Sequence, residues 1–148
     1  MNTLTPGREL TTEAELRGLV RSLKRVAVLG IKTEAQSDQA AFYVPSYLAS
    51  AGVEVVPVPV YYPEVTSILG RPVFRTVAAV PGPVDLVDVF RRSADLMLHL
   101  DDLLAAQPRA LWLQSGIRHA AFCDALRAAG IDVVQDRCLM VDHRRFAG

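Results

Sequence analysis

The sequence predicts an α/β chain: a Rossmann-like, doubly wound and mostly parallel sheet of five to six strands with helices on both faces. Three observations predict it. Short, unbroken apolar runs such as "RVAVLG" and "ALWLQSG" read as strands buried on both faces. Segments with a helical apolar stripe separate these runs, and strand–helix–strand crossovers force a mostly parallel sheet. The connections are short, and right-handed crossovers then stack helices on both sides of the sheet.

The elements follow in order. Residues 1–10 carry no periodic pattern and are expected to be loose. "TTEAELRGLVRSLKR" is a helix: Thr12 and Glu15 form a capping box, and Leu16, Leu19, Val20 and Leu23 share one apolar face. "RVAVLG" is the first strand. "SDQAAFYVPSYLASAG" is a helix closed by Gly52, with Pro45 marking either a kink or the start of its regular part. "VEVVPVPV" is the second strand, and its prolines end the useful ladder near Val58. The turn-rich stretch that follows has room for a short third strand around Val73 and Phe74. "VDLVDVF" is the fourth strand, "SADLMLHLDDLLAAQ" a striped helix and "ALWLQSG" the fifth strand. "IRHAAFCDALRAAG" is a helix with a glycine stop, and "IDVVQDRCLMV" is the sixth strand.

With 148 residues, the chain is the size of one ordinary domain and can bury a core without metals or disulfides. Lysine plus arginine and aspartate plus glutamate each number 16, so the formal net charge is zero. That balance argues against a nucleic-acid or membrane-surface partner, either of which needs a basic excess. Cys123 and Cys138 have no metal-type spacing, and no metal site is expected. No signal-peptide pattern opens the chain, and no run approaches the roughly 18 apolar residues of a membrane span. The expected location is cytoplasmic, with both thiols reduced.

Ligands of such sheets bind where the strands end. That rule collects residues 30–37, 59–62, 90–93, 114–119 and 137–139 at one edge. Gly30 permits a sharp turn and close backbone approach. The next helix aims its N-terminus at the same place. Ser37 or Thr33 is placed to cap that helix or to donate to a phosphate, and Lys32 adds a full positive charge. These residues read as an anion site. A dinucleotide fingerprint would need glycine at positions 32 and 35, where Lys32 and Ala35 stand. It would also need a carboxylate after the second strand, where the chain reads Val58, Pro59 and Val60. The missing carboxylate suits a ligand with a phosphate on its ribose.

The chain resembles the stand-alone coenzyme A-binding domain family and, more distantly, the coenzyme A-binding domain of the succinyl-CoA synthetase α subunit. The resemblance runs from about Thr12 to Phe146. It is carried by "VAVLG", "YVPSYLASAGVEVVPV", "VDLVDVFR", "WLQSGIRHAAFCDALRAAGI" and "DRCLMVDH". It implies one coenzyme A-binding domain spanning residues 1–148. Contacts are implied at Gly30, Ile31 and Lys32, at Val58 and Pro59, at Phe90, Arg91 and Arg92, and at Gln114 and Gly116. The pyrophosphate and 3′-phosphate of coenzyme A want N–H groups and cations. Its adenine and pantetheine arm want an apolar slot, for which Ile31, Val58 and Phe90 are available. The sequence departs from the family at Gln39 and Ala40, where relatives often carry Arg-Pro, and at Pro59 and Val60, where they carry Asn-Pro. Arg71, Arg75 and Arg92 are the candidates to replace the lost arginine.

The synthetase likeness raises the question of a phosphohistidine, but its glycine-histidine motif and ATP-grasp regions are absent from this sequence. His99 reads as a packing residue. His119 lies at the ligand edge with helix N-terminal packing as its plainer role, and His143 reads as structural or exposed. Cys138 follows the sixth strand beside Arg137, a cation that would favour thiolate, so it is a candidate to pair with the ligand thiol. Its plainer reading is space filling, as for Cys123. Asp88 reads as an inward polar residue needing a hydrogen-bond partner. The leading expectation is a coenzyme A or acyl-CoA binding protein without chemistry of its own, regulatory or a partner of a CoA-dependent enzyme. The alternatives are an accessory subunit of an acyl-CoA enzyme, an NAD(P)- or nucleotide-binding redox sensor, and a protein-interaction module with a silenced pocket. A protein partner and a homodimer both stay open.

Overall fold

Thr12 accepts the Glu15 N–H at 3.2 Å while Glu15 accepts the Thr12 N–H at 3.0 Å, so the first helix starts with the expected reciprocal cap. This helix, α1 (Glu13–Ser22), is the first element of a computed structural model that describes residues 5–148. It is followed by β1 (Arg25–Leu29), a 3₁₀ turn (Glu34–Gln36), α2 (Ala40–Ser50) and β2 (Glu54–Val58). A two-residue hairpin comes next, β3 (Ser67–Ile68) and β4 (Arg71–Pro72), then β5 (Leu86–Val89). A 3₁₀ stretch (Ser93–His99) runs into α3 (Leu100–Ala106). The chain finishes through β6 (Ala110–Leu113), α4 (Ala120–Ala128), β7 (Asp132–Val134) and α5 (Leu139–Phe146).

Five strands form one all-parallel sheet in the order β2-β1-β5-β6-β7, with Val28 in register with Pro57 and Asp88, and Asp88 with Trp112. Period-two alternation sorts the strand residues into two cores. Val26, Val28, Leu86 and Trp112 pack with Leu16, Leu48 and Phe146 of α1, α2 and α5. Leu29, Val87, Val89 and Leu111 pack with Leu96, Leu103 and Phe122 on the other face. Burial on both faces explains why these strands read as unbroken apolar runs. The predicted doubly wound fold is the observed one.

Both sheet edges are protected. β2 carries Pro57 in an edge position, where a missing N–H disturbs no ladder, and the outward Pro57 carbonyl accepts the Phe74 N–H at 3.0 Å. At the other edge the N-terminal segment lies along β7: Leu10 donates to Val133, and Val133 to Arg8, at 2.8 and 2.9 Å. The expectation of a loose segment over residues 1–10 therefore does not hold at residues 8–10. Residues 1–4 lie outside the described residues. Nothing local in "REL" announces this pairing, because its partner is more than 120 residues away.

Three further expectations need correction. The third strand is a hairpin at residues 67–72, just ahead of Val73 and Phe74. The helix expected over residues 93–107 is 3₁₀ as far as His99 and α-helical only afterwards. The sixth strand stops at Val134 instead of running to Val141, because Asp136 adopts a left-handed φ of 57° and turns the chain. "LMVDHRRF" then forms α5, whose N-cap residue Cys138 makes no side-chain cap; burial of Leu139, Asp142 and Phe146 and the Gln114 side chain, which accepts the Leu139 N–H, hold it. Pro45 lies within α2, whose regular part begins five residues earlier. Among the described residues, no helix is long and apolar enough to cross a membrane.

Candidate functional site

The strand order contains a topological switch. From β1 the chain crosses to β2 on one side, and the next sheet strand, β5, pairs on the other side of β1. Loops leaving β1 and β5 therefore diverge, and a crevice opens between them at the carboxyl ends. Gly30 begins the first of these loops with φ 85° and donates its N–H to Val58 at 2.9 Å. A Cβ at this position would lie 2.2 Å from the Phe90 carbonyl oxygen, so only glycine lets the two backbones approach so closely.

A groove of about 460 Å³ lies over this crevice. Five of the expected site residues line it: Lys32, Phe90, Arg91, Arg92 and Gly116. Ala41, Ser93 and Ile117 complete the lining. Ile31 turns into the core, and Val58 and Pro59 are buried. The Val58 carbonyl accepts the Gly30 N–H from the β2 side of β1, and Val58 does not line the groove. Ser37 is exposed and sits two residues ahead of Gln39, which holds the N-cap position of α2 without a side-chain capping bond. Thr33, its alternative, caps the 3₁₀ turn in a reciprocal box with Gln36.

The three cations differ in how they are held. The Lys32 ammonium donates to the Gln39 side-chain oxygen and makes no ion pair among the described residues. Arg92 donates to Asp95 at 3.0 Å, yet its side chain is 83% exposed. Arg91 is only 10% exposed. It donates through Nε to His99 Nε2 at 3.0 Å and through Nη1 to the Tyr61 hydroxyl at 3.3 Å. The bond to His99 requires a neutral imidazole as acceptor, and burial, reinforced by the Arg91 charge, holds that imidazole below its ordinary pKa. Arg75 fixes the neighbouring loop from its other side, donating to the Tyr61, Tyr62 and Val65 carbonyls at 3.1, 3.0 and 2.7 Å. Tyr61 is thus held at its carbonyl by Arg75 and at its hydroxyl by Arg91, and is 61% exposed.

On the β6 side, the Gly116 N–H donates to Asp136 Oδ1 at 2.6 Å, and this bond, ahead of Arg118, keeps the Asp136 carboxyl below its usual range. Gln114 is buried and accepts the Leu139 N–H at 3.0 Å, joining β6 to the start of α5. Cys138 is the residue before α5, half-buried against the core and outside the groove lining. Its neighbour Arg137 makes a bidentate pair with buried Asp142 at 2.6 and 2.9 Å, which raises the guanidinium pKa. Burial pushes the Cys123 thiol up to about 12. His119 caps α4 by accepting the Phe122 N–H at Nδ1, and His143 bonds the Tyr47 hydroxyl at 2.8 Å.

Sequence reasoning missed Ala41 and Asp136; it gathered Tyr61 and Ile117 within residues 59–62 and 114–119 without singling them out. The aspartate in "VVQDRC" is a usable signal, since Asp tolerates a left-handed turn at a strand end. The other residues depend on contacts between segments far apart in the chain.

Known proteins are similar to this chain in fold or in sequence. The structure of cell-free ID.343 from Thermus thermophilus is 42% identical, covers 92% of this chain and 99% of its own, and superposes with a TM-score of 0.83. A hypothetical protein from Pyrococcus horikoshii, 24% identical over 95% of this chain and 97% of its own, shares the fold with a TM-score of 0.82. A dinucleotide-forming acetyl-coenzyme A synthetase from Ca. Korarchaeum cryptofilum is 17% identical. It has the same fold with a TM-score of 0.65 over 82% of this chain and 27% of its own. The uncharacterized protein YneT of Bacillus subtilis is 29% identical over 132 residues, which is 89% of this chain and 94% of that protein. The glycine turn at the β1/β5 switch and the cation-lined groove above it lie within residues 24–144, which match the model of the CoA binding domain family, and the chain belongs to that family.

Proposed function

We propose that this chain binds coenzyme A or an acyl-CoA across the β1/β5 crevice and does not transform it. Lys32 carries the reading: a cation without an ion pair among the described residues, two residues from a backbone turn pressed against the end of β5. A pyrophosphate supplies the charge such a site lacks. Arg92, exposed and paired with Asp95, is placed to meet a second phosphate. Phe90, Ile117 and Ala41 offer apolar surface to the pantetheine arm, and the Tyr61 ring offers a stacking face to adenine. Arg91 serves by holding Tyr61 in place. Membership of the CoA binding domain family supports the ligand. A binding role without catalysis is supported by His99, His119 and His143, each engaged in a structural hydrogen bond. Such a protein would act as a carrier or regulator beside a CoA-dependent enzyme.

Calorimetric titration with coenzyme A, dephospho-CoA and NAD tests the proposal. Coenzyme A is expected to bind with a Kd of about micromolar, dephospho-CoA more weakly, and NAD not measurably. Lys32→Ala is expected to lower coenzyme A affinity by about tenfold or more, as for loss of a charge-assisted bond. No heat with coenzyme A, or equal affinity for NAD, would contradict the reading.

A further inference from the structure

Proline inside a helix leaves the carbonyl four residues earlier without its helical donor, and its ring pushes that carbonyl outward. In α2 the proline is Pro45 and the carbonyl belongs to Ala41. That carbonyl is not left unpaired. It accepts the Lys32 N–H at 3.1 Å, across nine residues of chain. Lys32 and Ala41 both line the groove, so this bond ties the glycine loop to the helix wall beside it. The same loop is tied to β2 and pressed on the end of β5 through Gly30. The Lys32 backbone is therefore anchored by a carbonyl that an ordinary helical residue at position 45 would claim.

We infer that Pro45 is a positioning residue for the anion loop: by vacating the Ala41 carbonyl it sets where the Lys32 backbone, and hence its ammonium, stands. A buried proline in the middle of a helix costs helix stability. The bond it releases offsets part of that cost. Pro45 touches no ligand in this account and acts through Ala41 and Lys32.

The test compares the full chain with its Pro45→Ala variant by amide hydrogen exchange and by the scalar coupling across the hydrogen bond from the Lys32 nitrogen to the Ala41 carbonyl carbon. The parent is expected to show that coupling. In Pro45→Ala the coupling should weaken, the amide newly present at position 45 should become protected, and the Lys32 amide should exchange about threefold to tenfold faster, the worth of one net hydrogen bond. Exchange at the β1 amides of Ala27 and Val28 should stay unchanged, which separates a local change from general destabilisation. Coenzyme A affinity should fall by a similar factor; this last effect rests on the coenzyme A reading, whereas the exchange and coupling do not. If coenzyme A fails to bind the parent, the ligand reading falls and the positioning role is still decided by the amides. A parent without the coupling, or a variant whose Lys32 amide is as protected as the parent's relative to β1, overturns the inference.

Discussion

Gly30→Ala is expected to destabilise the protein by about 3 kcal/mol or more and to abolish ligand binding. Two separate terms add. A left-handed φ of 85° costs a residue with a Cβ roughly 1–2 kcal/mol. The new methyl would also stand 2.2 Å from the Phe90 carbonyl oxygen, a backbone atom that moves only if β1 and β5 separate at their carboxyl ends. Gly116→Ala isolates the first term. Its φ is 83°, but a Cβ there meets nothing within 4 Å, so the strain of about 1–2 kcal/mol is expected alone. Denaturant titration of both variants measures the difference. Equal losses would mean that the close approach of the two loops contributes nothing.

The second large effect concerns Asp88. It is fully buried in the central strand of the sheet, and neither carboxylate oxygen has a hydrogen-bond partner among the described residues. Burial raises its pKa well above the ordinary carboxylate value. The folded chain therefore holds a proton that the unfolded chain releases near pH ~4. The stability associated with that proton is complete below the unfolded pKa and is lost as pH rises toward the folded one, by up to about 1.4 kcal/mol per pH unit. Glu15 and Asp136 act in the opposite direction at the acid end, because backbone hydrogen bonds lower their pKa values and stabilise the fold only once they are ionised. Asp88→Asn removes the first effect and leaves the other two. Its stability relative to the parent is expected to rise with pH once the unfolded carboxylate ionises, above about pH 4, read as denaturation midpoints at several pH values. Parallel profiles for parent and variant would show that Asp88 ionises as readily in the fold as outside it.

What is legible in the sequence follows from the range over which each signal acts. The capping box of α1, the double-sided burial of β1, β5 and β6 and the glycine after β1 are written within a few residues, and the structure contains each of them. The carboxyl edge on which Lys32, Phe90, Arg91, Arg92 and Gly116 meet is legible too, because strand direction alone assigns loops to edges. The helix α5 is not, since its N-cap residue Cys138 makes no side-chain cap and its first residues continue an apolar run. The turn at Asp136, the packing of Leu139 and Phe146 and the distant Gln114 side chain, which accepts the Leu139 N–H, make it a helix. Partners are the least legible. Arg91 and Arg92 are adjacent and alike in sequence, yet one is fastened to His99 and Tyr61 while the other is exposed. The segment over residues 8–10 reads as loose because its partner strand is the last in the chain.

The central claim is that coenzyme A occupies the crevice between β1 and β5. Amide chemical-shift mapping during titration with coenzyme A tests it most directly. The account predicts that the largest perturbations fall on residues 30–32, 90–93 and 116–117, with the Tyr61 ring shifting among the side chains and the β7 edge near Arg8 and Val133 unmoved. Saturable binding whose perturbations cluster elsewhere, at the β2 edge or around α5, would contradict it.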